Sequence, residues 1–134
     1  MRFKILVVFA LLLVCLGVKA QRTVENDTVY EKATNIPDVM PSYPGGSQVL
    51  LKYLQTQIRY PSDARKMKVE GRVVVSFVVD KDGWVTNVSV LKGVFPSLDR
   101  EAVRVVSGMA RWNPGMQNGK PVKVKYSLPI SFRL

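Results

Sequence analysis

At 134 residues with a net charge of +10, the chain has the size of one domain and carries a basic surface. It has no histidine and a single cysteine, Cys15, which removes the commonest general bases, thiol nucleophiles and zinc ligands. The Lys and Arg residues are dispersed and never form a run of five, so a basic nucleic-acid tail is excluded.

Residues 1–20 read as a cleaved signal peptide. Arg2 and Lys4 precede an apolar run over residues 5–18, and Val18-Lys19-Ala20 offers a processing site before Gln21. That run has 14 residues, short of the about 20 that span a bilayer; retention as an inner-membrane anchor is the alternative. Cys15 follows Val14 rather than a small residue, which disfavours acylation. Without Arg2, Lys4 and Lys19 the net charge falls from +10 to +7, and no cysteine remains for a disulfide in the oxidising compartment that export implies. Two triplets, at Asn26 and at Asn87, match the glycosylation pattern and are read as chance.

Residues 21–46 form a polar lead-in with Pro37, Pro41, Pro44 and Gly45-Gly46 and no hydrophobic period, expected to be extended and partly disordered. Residues 47–134 form the folded domain. Ser47 is expected to cap a helix over residues 47–58, with Leu50, Leu51, Leu54 and Ile58 on its apolar stripe, and Tyr60-Pro61 to stop it. A short helix follows from Pro61 through Ala64 to Lys68, ended by Gly71. Residues 72–80 are apolar on both faces, as in a central strand; Asp82-Gly83 turns the chain, and residues 84–92 return with Thr86, Val88 and Val90 on one face. Ser97 is expected to open a helix with Leu98, Ala102, Val105, Val106, Met109 and Trp112 buried, ended by Asn113-Pro114-Gly115. The acids Asp80, Asp82, Asp99 and Glu101 are accounted for by the turn and this helix start, and no catalytic motif appears, so neither enzyme activity, cofactor nor small-molecule substrate is expected.

Asn118-Gly119 turns into a last strand over residues 122–134. Val122, Val124, Tyr126, Leu128, Ile130, Phe132 and Leu134 alternate with polar residues and Pro129, so one face is buried and the other wet. Pro129 lacks an N–H and belongs on a sheet edge. Its parity assigns the backbone groups of Lys123, Lys125, Ser127, Ser131 and Arg133 to the open side. Proline and lysines can simply protect such an edge, or the edge can receive a partner strand; spacing alone leaves both open.

The order of Tyr60-Pro61 with Ala64, Glu70-Gly71-Arg72-Val73, Asp82-Gly83, Leu98-Asp99-Arg100-Glu101-Ala102, Arg111-Trp112-Asn113-Pro114-Gly115 and Gly119-Lys120-Pro121-Val122 resembles the TonB C-terminal domain family. Tyr43-Pro44-Gly45-Gly46 is similar to the lead-in of Bacteroidota members, and the resemblance runs over residues 43–134. It implies an α+β fold, a three-stranded antiparallel sheet with helices packed on one face. It also implies that the last strand receives the TonB-box segment of an outer-membrane receptor's plug. The family's gripping segment, Gln-Pro-Gln-Tyr-Pro, corresponds to Gln57-Ile58-Arg59-Tyr60-Pro61, agreeing at Gln57, Tyr60 and Pro61 and departing at Ile58 and Arg59. Gln57, Arg59, Tyr60 and Pro61 are therefore expected to contact the partner.

A full transducer of this family carries a membrane helix with a Ser and a His for its motor; here the apolar run is short and histidine is absent. The expectation is a free-standing periplasmic, receptor-docking domain without direct energy coupling and without nucleic-acid binding. The rival expectations are a structural adaptor for peptidoglycan or another envelope protein, and homodimerisation through paired last strands.

Overall fold

The structure, a computed structural model, describes residues 29–31 and 36–134. The expected signal segment, Cys15 and the triplet at Asn26 lie outside the described residues. The fold is α+β. Its elements run β1 (Tyr30–Glu31), α1 (Ser47–Gln57), α2 (Ser62–Lys66), β2 (Gly71–Val79), β3 (Val85–Lys92), α3 (Pro96–Ser107), β4 (Gly115–Gln117), β5 (Lys120–Val122) and β6 (Val124–Phe132).

The three long strands follow the expected antiparallel order, with β2 between β6 and β3. Two features were not foreseen: β1 adds to the outer side of β6 in parallel, and β4 and β5 form a separate hairpin. On one face of the sheet Val73, Val75, Phe77 and Val79 of β2 meet Val124, Ile130 and Phe132 of β6, all essentially inaccessible. The stripe of α3 (Leu98, Ala102, Val105 and Val106) closes over this face, joined by Leu54 of α1 and Ala64 of α2. Each fully buried Val, Leu or Phe contributes roughly 1.5–3 kcal/mol, so this layer dominates stability.

An aromatic cluster locks the C-terminal half to the sheet. Trp112 lies 5.5 Å from the rings of Tyr43, Phe77 and Tyr126, edge-on to Tyr43. The Trp112 backbone N–H donates to the carbonyl of Gly83 at 2.8 Å, tying the chain after α3 to the β2–β3 turn. That turn closes through Gly83 N–H to Asp80 carbonyl at 2.8 Å, with Gly83 at φ 89°.

Several boundaries move. Neither Ser47 nor Ser97 caps its helix: the cap positions are Gly46 and Phe95, and neither makes a side-chain cap bond. Pro96 opens α3, its fixed φ suiting a first helical turn. α3 ends at Ser107 instead of reaching Asn113, and α2 is ended by Lys68 at φ 54°, leaving Gly71 to start β2. Leu51, expected on the stripe of α1, is exposed. In β3, Asn87 at φ 51° sits in a register shift opposite Ser76 and Val78. Thr86 pairs with Val78 on the outer face while Val88 packs on the core, so these two do not share a face. The last strand is broken at Lys123: Val122 pairs with Gly115, and β6 begins at Val124. Part of the lead-in is firmly placed, since Val39 bridges Met116, Ser42 bridges Asn113, and Tyr43 is buried in the core.

Candidate functional site

β6 has two lateral sides with different fates. Toward β2 it is paired along its whole length, from Phe132 opposite Gly71 to Val124 opposite Val79. Pro129 stands opposite Val74. Its missing N–H costs nothing there because such positions alternate between bonded and unbonded pairs. On the other side, Tyr30 N–H donates to the Lys123 carbonyl at 2.9 Å, the side that the proline parity gives to odd-numbered residues. β1 reaches only to Lys125, and among the described residues no strand pairs with β6 beyond it on this side. The expectation of an unoccupied edge is thus corrected at its first residues. The Lys125 ammonium meets the Glu31 carboxylate at 3.4 Å, both partly exposed.

The expected site residues fall into two groups. Lys123 and Lys125 lie at the β1 end. Ser127 is exposed in mid-strand, and together with Lys125, Glu31, Met40, Pro41 and Leu91 it rims a cleft of about 470 Å³. Ser131 and Arg133 are exposed at the far end, roughly 20 Å from Lys125 at about 3.3 Å per residue.

Of residues 57–61, Tyr60 reaches this far end, while Gln57 and Arg59 are held on α3. The Tyr60 ring meets Phe132 edge-on with centroids 5.9 Å apart, and its hydroxyl donates to the Val69 carbonyl. Pro61, at φ −61°, precedes α2. Gln57 contributes its carbonyl, which accepts from the Arg104 guanidinium at 2.9 Å. Arg59 N–H donates to Glu101 Oε2 at 2.7 Å.

Glu101 and Arg104 are thus residues that positional reasoning missed. Glu101 read as a favourable acid near a helix start. Its spacing of three residues from Arg104 signalled an ion pair on one helix face, but nothing local showed that the pair would clamp a distant loop. Burial pushes the Glu101 carboxyl up, but hydrogen bonds from Arg104 and the Arg59 N–H outweigh it and hold the carboxyl below its usual value. A carboxyl lowered on folding contributes stability above the unfolded value of about 4.3 and loses it as pH falls through the folded value. Glu101→Gln is expected to cost about 1.5–3 kcal/mol at neutral pH. In urea melts, the gap to the native protein should close as pH falls below about 4; a gap constant with pH would show that the charge of Glu101 is irrelevant to the clamp.

Among the described residues no group of metal-binding side chains occurs, and no helix is long and apolar enough to cross a membrane. A family model for the Gram-negative bacterial TonB protein C-terminal matches residues 56–134. The TonB proteins of two Helicobacter pylori strains are each 32% identical over 116 residues, covering 82% of this chain and 38% and 39% of their own lengths. The chain therefore spans about two fifths of the curated relatives it matches. A solution NMR structure of the Helicobacter pylori TonB C-terminal domain is similar with a TM-score of 0.51 at 27% identity, covering 63% of this chain and 89% of that domain. The matched region holds β2, β3, β6 and the helices α2 and α3, together with the clamped loop. The chain belongs to the TonB C-terminal domain family of Gram-negative bacteria.

Proposed function

We propose that this chain plays a TonB-like role in TonB-dependent transport: it docks the TonB-box segment of an outer-membrane receptor in the periplasm, adding it as a strand beside β6. Residues 1–20 are removed on export, and residues 47–134 form the docking unit. The observation that carries this reading is the outer side of β6 past Lys125, which has no strand on it among the described residues and lies beside exposed Ser127 and Ser131. Strand addition draws affinity from main-chain hydrogen bonds and specificity from neighbouring side chains. Lys123, Lys125, Ser127, Ser131 and Arg133 supply the edge. Gln57, Arg59, Tyr60 and Pro61 are proposed to contact the partner beyond its far end, a reading supported by the packing of Tyr60 on Phe132. The role is binding, not catalysis.

The test is a titration of isotope-labelled protein with synthetic peptides from receptor plug segments. Shifts are expected along β6 and in residues 57–61. Ser127→Pro removes one outward donor while leaving the pairing with β2 in place, because Ser127 shares the parity of Pro129. It should weaken binding roughly fivefold to tenfold. Equal affinity would place the docking site elsewhere, and binding of peptidoglycan fragments in place of every peptide would favour the adaptor role.

A further inference from the structure

The strand that occupies the start of the open edge comes from the chain's own lead-in. Tyr30 and Glu31 run parallel to β6, opposite Val124 and Lys125. Three features make the contact specific. Tyr30 N–H donates to the Lys123 carbonyl at 2.9 Å, the register assigns the outward Lys125 amide to this ladder, and Glu31 places its carboxylate 3.4 Å from the Lys125 ammonium. Lys125 lies on a sheet edge in a chain with twice as many basic as acidic residues, where an acidic partner is favoured.

The contact is also small. It comprises two residues in a short strand, with an ion pair whose partners are both about half exposed. Exposed pairs and single added hydrogen bonds are weak, so β1 is held loosely enough to be exchanged. The length of edge left uncovered runs only from Ser127 to the end of β6, so a partner strand that also engages Lys125 must replace β1.

From this we infer that residues 29–31 are an internal competitor for the docking edge, seated by the Glu31–Lys125 pair, which an incoming strand displaces. This rests on the docking reading only for the identity of the incoming strand; the competition itself is a property of the edge. The apparent affinity of such an edge is reduced by the fraction of molecules in which β1 is seated.

The experiment uses the full protein, Tyr30→Pro and Glu31→Lys. The first removes the N–H that bonds Lys123, and the second sets two cations against each other; neither residue lies in the core. The probe is a synthetic peptide with the native sequence of residues 26–34, followed through the amides of Lys125 and Ser127. Slowed amide exchange at Lys125 is expected in the native protein and lost in both variants. The peptide should bind both variants about threefold to tenfold more tightly than it binds the native protein. Unchanged Lys125 exchange in the variants would overturn the inference, as would equal peptide affinity for all three proteins or no binding to any of them. Receptor plug peptides are titrated in parallel. If they fail on every protein while the lead-in peptide binds the variants, the docking reading falls and the internal strand stands.

Discussion

Gly83→Ala is expected to destabilise the domain by roughly 3 kcal/mol and to lower its urea midpoint without changing the slope. Two costs combine. Gly83 has φ 89°, a backbone region where a side chain is strained by about 1–2 kcal/mol. A Cβ there would also stand 2.0 Å from the Trp112 carbonyl oxygen, which is backbone and cannot rotate away. Relief requires the turn and the segment after α3 to separate, which stretches the Trp112 N–H bond to the Gly83 carbonyl. Overpacking of this kind costs about 1–3 kcal/mol. Gly119 is the control: it also has a positive φ, 74°, but an added Cβ would meet nothing within 4 Å. Gly119→Ala should therefore cost only about 1 kcal/mol, and near-equal losses at the two positions would show that the Trp112 contact carries no weight.

What could be read from residues follows this division between local and distant causes. The paired edges of β2, the Asp82-Gly83 turn and the buried helical stripe from Leu98 to Val106 were legible because hydrophobic period and turn chemistry are local; Met109 and Trp112 are buried as expected but lie past the end of α3. Pro129 carried the orientation of the edge, since one missing donor fixes the parity of every neighbour. Elements whose reason lies far away in sequence were not legible. β1 is two residues with no pattern of its own, existing only because Lys123 and Lys125 present a ladder to it. Lys123 interrupts an alternation that had looked continuous because β5 turns toward β4 instead of joining β6. Asn87 flips the face of β3 by a bulge, and a simple two-residue period cannot anticipate the extra residue. The clamp of Glu101 and Arg104 on residues 57–59 spans more than forty positions of chain, beyond any local signal.

Phe77→Ala is expected to have the largest effect of any single truncation, about 3–5 kcal/mol. Phe77 is fully buried on the central strand, with Trp112 at 5.5 Å and Tyr126 at 5.8 Å between ring centroids. Neither neighbour is free to fill the space. The Trp112 backbone is anchored by its amide N–H to the Gly83 carbonyl, and Tyr126 is set by its backbone register opposite Phe77. A site that cannot collapse retains its cavity and pays near the upper end of the range. Phe77→Leu keeps most of the volume and should cost only about 1.5 kcal/mol. A further consequence distinguishes Phe77 from other core positions, because Tyr126 lies between Lys125 and Ser127 on the outer edge of β6. In Phe77→Ala, amide exchange should accelerate at Lys125 and Ser127 under conditions where the protein remains folded. Acceleration confined to β2 and α3 would show that the edge is held by β6 itself and not by the ring beneath it.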